Sequence, residues 1–384
     1  MDTATPPISP SVRDRFPIFA TKTYINSCSQ GALSTDVSNS YLQYLADRNA
    51  KGAAWSEWME LASTARQEFA ALIGADADEV AINTSTSAAV SSLSSCMEWP
   101  GERDTVVVTD FEFPTIGQIW HAQERRGARV THVSAHEGNI SLEQFASAID
   151  DRTRLVSLTH VSFRDGSKLD IPAIIDLAHE RGARVLLDSY QALGTMEVNV
   201  KALDVDFLVC GTVKYLLGSA GLAFLYVRRD LIEEMVPTTL GWFSQRDIFA
   251  MNNHSNDPAR DARRFEMGTP PVPNLYAGIA GIKLIRTVGT SAIERHIAQL
   301  THAIRVRAVD RGFRVVTPAE PSRHGAIIAL HSSNVNELRI RLSSADVVVS
   351  GRGNNLRISP HIYNNTTDID RLFTELERSR ELLL

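Results

Sequence analysis

Cysteine is scarce in this chain: three occur among 384 residues, Cys28, Cys96 and Cys210, far apart and without CxxC spacing. That scarcity excludes a disulfide framework and gives no reason to expect a metal site; three scattered thiols suit a reducing cytoplasm. A basic excess is missing too. Lys and Arg number 39 against 45 Asp and Glu, the formal charge is -6, and the cations are dispersed. The chain therefore lacks the electrostatic footprint of a phosphate-backbone binder, and no nucleic-acid partner is expected. No stretch reaches the roughly 18 apolar residues of a membrane span, and the opening residues MDTATPPISPSVRDRF have no apolar core behind a positive flank. Neither a membrane partner nor an address outside the cytoplasm is expected.

What is present is the make-up of a globular protein. A hydrophobic fraction of 43% beside 22% charged residues provides for a sizeable core, and the length suits one large domain with a smaller companion. Residues 1–20, rich in Pro, Ser and Thr, read as an arm. From 21 to 273 short apolar runs recur: EVAINTS, DTVVVTD, ARVTHVS, RLVSLTH, ARVLLDS, VDFLVCG and LAFLYVR, separated mostly by stretches with helical periodicity such as IPAIIDLAHERG. Runs apolar on both faces that alternate with helices predict an α/β fold, a mainly parallel sheet of seven strands with helices on both faces. From 274 to 384 the pattern becomes linking helices, to about 311, and then a compact C-terminal α+β lobe. That lobe includes GFRVVTP, GAIIALH, DVVVSGR and NLRISPH, a helix near 335–344 and a last helix from about 367.

In open α/β sheets ligands bind outside the carboxyl ends of the strands, so the residues ending each run carry the functional information. ARVLLD ends in Asp188, with Gln191 three residues on; a carboxylate at a buried strand end needs a cation. After VDFLVC comes GTVKYLLGSAG, which sets Lys214 among small and apolar neighbours. Such a lysine either extends its ammonium to the surface or, partly desolvated, becomes an amine able to form a Schiff base with a carbonyl. Ser85 and Thr86 open the helix after EVAIN, as caps or as a phosphate cradle. Phe113 precedes a proline at a helix start, either in the core or as a stacking platform. An amine, an anion for a ring nitrogen, a phosphate cradle and an aromatic face fit one ligand together, pyridoxal 5'-phosphate.

On these residues, and on the order of YINSCSQGALS, THVSFRDGSKLDI, ARVLLDSYQALG, VDFLVCGTVKYLLGSAG, RRFEMGTPPVPNL and LRISPHIYNNTTDID, the chain resembles the fold type I pyridoxal-phosphate enzymes of the class V aminotransferase group. These include cysteine desulfurases, isopenicillin N epimerase-like enzymes and kynureninases. The resemblance implies that Lys214 is the Schiff-base lysine and Asp188 the partner of the pyridine nitrogen. It further implies that Gln191 contacts the phenolic oxygen, that Ser85 and Thr86 bind the phosphate, and that Phe113 stacks on the ring. Gly268 and Thr269 would reach the phosphate of the second subunit in a homodimer with shared sites. Arg357 would grip the substrate carboxylate, with Asn26 and Trp242 near the substrate. The chain departs from the group in three places. No cysteine follows Cys210, so the sulfur-accepting cysteine of the desulfurases is missing; Val213 replaces the tyrosine that kynureninases place before the lysine; and Gln191 replaces their histidine. The implied function is a lyase on an α-amino acid, by β-elimination or carbon–sulfur cleavage of a cysteine S-conjugate. Transamination, epimerisation and decarboxylating oxidative deamination are the alternatives within the group, and a non-catalytic binding module the alternative outside it. Cys28 lies in the segment that resembles one near the substrate, and its part in the chemistry is open.

Overall fold

The computed structural model describes residues 8–383 apart from Pro100 and Glu137; residues 1–7 of the expected arm lie outside that range. All seven apolar runs form one sheet, from β2 (Val80–Asn83) through β3 (Thr105–Thr109), β4 (Arg129–Val133), β5 (Thr153–Thr159), β6 (Arg184–Asp188) and β7 (Phe207–Gly211) to β8 (Ala223–Val227), after a short β1 (Thr23–Tyr24) elsewhere. Its strand order is β2-β8-β7-β6-β5-β3-β4. The pairs from β7 to β4 are parallel, and β8 runs antiparallel to both its neighbours, β2 and β7.

Successive residues of each strand enter opposite cores. Val107, Val156, Leu187 and Leu208 belong to one apolar cluster, whereas Val106, Leu155, Leu186 and Phe207 belong to the other. That is why the strands read as continuous Val and Leu runs instead of alternating patterns: each face is covered by helices. On one face the helix Val272–Val288 packs against the helices Thr35–Lys51 and Trp55–Ile73.

The C-terminal lobe carries β9 (Ile328–His331), β10 (Val347–Val348), β11 (Ser350–Arg352) and β12 (Asn355–Ile358), with a three-stranded sheet ordered β11-β12-β9. Its helices fall at Val335–Ser344 and Thr366–Arg378. GFRVVTP does not form a strand there. It touches β9 through a single bridge, Val315 to Leu330, because the Thr317 hydroxyl takes the Ala329 N–H (2.8 Å) that a longer ladder would use. The N-terminal segment crosses into this lobe: β1 pairs with β10, Thr23 opposite Val347, and Ile25 joins the lobe's core. The described part of the N-terminal arm is tied to the lobe, with Phe16 buried against Tyr363 and Arg13 paired with Asp368 at 2.7 Å.

Candidate active site

The carboxyl ends of β2, β5, β6 and β7 converge on a cavity of about 300 Å³, lined by Ser85, Thr86, Phe113, Thr159, Phe163, Asp188, Tyr190, Gln191 and Lys214 among others. Lys214 lies on the loop joining β7 to β8. That loop is pinned by the Thr212 N–H to Leu222 O (3.1 Å) and the Gly218 N–H to Thr212 O (2.9 Å). The N-terminal segment packs directly beneath the lysine: the Gly31 N–H donates to Val213 O, and a Cβ at Gly31 would lie 2.4 Å from Lys214 O, so glycine is required for this approach. The Lys214 ammonium stands 4.2 Å from the Tyr190 ring centre and 5.6 Å from that of Phe113. Burial lowers its pKa below the ordinary lysine value, with Asp188 opposing.

Asp188 ends β6, buried, with the Tyr190 N–H donating to its Oδ1 at 2.9 Å. Burial raises its pKa, while that N–H and Lys214 hold it down. No salt bridge reaches it among the described residues, so a cationic ring nitrogen in the cavity would supply the missing partner. Gln191 is buried beside it, its Nε2 donating to Cys28 O (3.1 Å) and its Oε1 without a partner.

At the β2 end, the two hydroxyls divide the work. Ser85 Oγ accepts from the Ala88 N–H (3.1 Å) and caps the helix Thr86–Ser95, whereas Thr86 Oγ1 is buried and unpartnered. An unsatisfied hydroxyl at a helix N-terminus facing a cavity is suited to a phosphate. Phe113 is 41% exposed, with Phe163 edge-on at 5.0 Å, so it forms a wall of the cavity and lies outside the core.

Arg357 on β12 approaches from the lobe. It is 2% exposed and donates to Phe163 O (2.6 Å), Ser350 Oγ (3.0 Å) and Ser29 Oγ (3.3 Å), with Nε unpartnered. No carboxylate pairs with it among the described residues. A buried guanidinium without an anion is costly, and a substrate carboxylate would relieve that cost. Asn26 and Cys28 belong to the same seam between N-terminal segment and lobe: Asn26 Oδ1 is buried and unpartnered, and Cys28 Sγ lies 3.5 Å from Ser350 Oγ.

Five expected residues do not line this cavity: Asn26 and Arg357 stay in the seam just described, and Trp242, Gly268 and Thr269 lie elsewhere. Trp242 packs edge-on to Trp55 (5.8 Å) and lines a separate, more open cavity of its own loop. Gly268 and Thr269 are exposed and lie away from the lining. Conversely, the sequence reading passed over Thr84, Ser87, Thr115, Thr159, Phe163 and Tyr190, all lining residues. Thr159 could have been found by the strand-end rule that found Asp188, its register partner. Tyr190 and Phe163 sit in loops whose return path carries no local signal.

The residues fit pyridoxal 5'-phosphate: an amine, a buried anion without a cation, and an orphaned hydroxyl at a helix start share one cavity. The aminotransferase class-V family model matches residues 31–372. The chain belongs to this class-V family. Its cofactor is pyridoxal 5'-phosphate, and Lys214, Asp188, Gln191 and Thr86 are the cavity residues that could hold it. Among class-V relatives, the chain is 34% identical to the uncharacterized aminotransferase YcbU of Bacillus subtilis, over 95% of this chain and 96% of that one. It is 27% identical to a probable cysteine desulfurase of Methanothermobacter thermautotrophicus over the same shares. The fold is that of the cysteine desulfurase of Thermococcus onnurineus NA1, with TM-score 0.89, 21% identity, and 98% and 99% of the two chains covered. It is likewise that of the cystine C-S lyase C-DES, with TM-score 0.86, 22% identity, and 94% and 98% covered. Among the described residues no helix is long and apolar enough to cross a membrane, and no group of three potential ligands could hold a metal ion.

Proposed function

We propose that this protein is a lyase that breaks the carbon–sulfur bond of a cysteine S-conjugate by β-elimination. The observation that carries the reading is a desolvated Lys214 in the cavity together with a buried Arg357 that lacks an anion and is bonded to the carbonyl of Phe163, a lining residue. Bound pyridoxal phosphate supplies an aldehyde that joins to amines and a ring that takes up the electron pair released at the substrate's α-carbon. Arg357 holds the α-carboxylate by charge-assisted hydrogen bonds. Asp188 keeps a proton on the ring nitrogen. Lys214, shifted toward the free amine by its burial, takes the proton from the α-carbon and passes it to the departing thiolate, and the released aminoacrylate takes up water to give pyruvate and ammonia. Phe113, Phe163 and Leu222 make the apolar wall that excludes water from this transfer.

Relatives that are cysteine desulfurases or a cystine C-S lyase by name support sulfur in the substrate. Where those desulfurases need an acceptor cysteine in the lobe, this chain has none after Cys210. The thiolate therefore leaves directly. We further propose a homodimer in which the exposed Thr269 of one subunit completes the phosphate site of the other.

Incubation with a cysteine S-conjugate should yield thiol and pyruvate in equal amounts, with Lys214→Ala lowering turnover by at least about a thousandfold. Cys28→Ser should still release both products. A persulfide trapped on Cys28 would overturn direct release. A keto acid that retains the sulfur substituent, formed without thiol, would instead make the protein an aminotransferase or oxidative deaminase.

A further inference from the structure

Glu112 plays no part in the steps above, yet it is a buried carboxyl at the same strand edge. It is 7% exposed, and no cation pairs with it among the described residues. The turn after β3 brings it back over the sheet: the Glu112 N–H donates to Thr109 O (3.2 Å), and the Phe111 N–H donates to Thr109 Oγ1 (3.2 Å). The carboxyl then meets two hydroxyls, Thr159 Oγ1 at 2.8 Å and Thr109 Oγ1 at 3.3 Å. Thr159 ends β5 and is the register partner of Asp188 on β6. Three neighbouring strands, β3, β5 and β6, thus present Glu112, Thr159 and Asp188 in a row.

An ionised carboxylate here would be desolvated without a counter-ion and would stand near a second carboxylate. Burial first, and the Asp188 charge second, push the Glu112 pKa well above the carboxylate range and outweigh the hydrogen bonds from Thr159 and Thr109 that pull it down. The other titratable groups at this edge do not reverse that. Lys214 acts on Asp188, and His160 is held neutral by burial, its pKa pushed down to about 4.

We propose that Glu112 is a neutral acid that keeps its proton, fixes the Thr159 hydroxyl, and leaves Asp188 as the single negative charge facing the cofactor's ring nitrogen. It is a positioning residue that acts through Thr159. The proposal rests on Asp188 facing that nitrogen, as in the function above, although the proton on Glu112 does not.

The test compares wild-type holoenzyme with Glu112→Gln and Glu112→Ala. Difference infrared spectra of wild type against Glu112→Gln at neutral pH should show the carbonyl stretch of a protonated acid, shifting in deuterium oxide; carboxylate bands in its place overturn the proposal. Glu112→Ala should weaken cofactor binding about tenfold or more, and Glu112→Gln, a neutral isostere, should bind within about threefold of wild type. A Gln variant as weak as the Ala variant, or one that fails to fold, counts against a neutral acid. The pH midpoint of the cofactor's visible spectrum should be the same in Glu112→Gln as in wild type. A midpoint one or more units lower would mean that a negative charge had been removed. Thr159→Val should move the infrared band, and an unmoved band breaks the link to Thr159. Asp188→Ala separates the two readings: a protonated-acid band that persists there, beside an unchanged cofactor spectrum, sinks the role of Asp188 and leaves the proton on Glu112 standing.

Discussion

Two ionisable side chains at the site are held in an environment that disfavours their charge, and a third, Arg357, is buried without an anion. Lys214 is desolvated by the loop that carries it, Asp188 by the ends of its neighbouring strands, and Arg357 by its place between β12 and the N-terminal segment. Lysine responds by favouring the free amine, which is the form that reacts with a carbonyl. Asp188 is stabilised as an anion where a cation faces it, so in the proposed function cofactor and aspartate would stabilise each other's charge. Arginine cannot shed its proton and must instead find an anion. Replacing Arg357 by alanine should therefore raise KM about 10- to 100-fold, the range expected for charge-assisted hydrogen bonds, and leave the cofactor's visible spectrum as it was. Lysine at 357 should not restore KM if the contact is bidentate, because an ammonium lacks the planar fork. An alanine variant with unaltered KM would move the carboxylate site elsewhere.

The helix Thr86–Ser95 separates stability from binding within two adjacent hydroxyls. Ser85 satisfies the Ala88 N–H, so Ser85→Ala should lower unfolding free energy by about 1 kcal/mol. Thr86 has no partner in the protein, so Thr86→Val should leave the cofactor-free protein as stable or more so while weakening cofactor binding. Melting temperatures with and without cofactor distinguish the two, and equal losses in both variants would mean that Thr86 is structural. At this scale much was legible in the sequence. The seven strands showed as runs apolar on both faces, and the positions of Lys214, Asp188, Ser85 and Thr86 at the cavity followed because strand ends and helix starts are set by local patterns. Phe113 was legible as a residue but not as an exposed wall, because that depends on Phe163 arriving from the loop after β5. Glu112 was illegible for a similar reason: it sits in the stretch that nominated Phe113, but its burial comes from Thr159 and Asp188, remote in sequence. GFRVVTP has the composition of a strand and loses its ladder to one threonine hydroxyl that no propensity scale registers.

Across the whole molecule, the site depends on contacts between parts that lie far apart in sequence. His361 is one such joint. Buried in the lobe, it donates from Nε2 to Tyr215 O (2.8 Å), the carbonyl immediately after Lys214. Burial pushes its pKa from 6.5 down to about 4. The unfolded chain binds this proton more readily than the folded one, so its contribution to stability is full above about pH 6.5 and is lost as pH falls toward 4. The loss amounts to about 1.4 kcal/mol per pH unit in that window. Denaturant unfolding at pH 7, 6 and 5 should show wild type losing its advantage over His361→Gln as the solution is acidified; parallel curves would refute this. The second joint is the proposed one between subunits. Gly268 and Thr269 are exposed and away from their own cavity. If Thr269 completes the partner's phosphate site, a Lys214→Ala subunit and a Thr269→Ala subunit fail at different composite sites. Each homodimer then carries two damaged sites, whereas a hybrid gathers both lesions into one site and leaves the other whole. Mixing the two variants under subunit exchange should restore up to about half of wild-type activity per hybrid dimer. Hybrids verified by mass that recover no activity would place Thr269 outside the shared site.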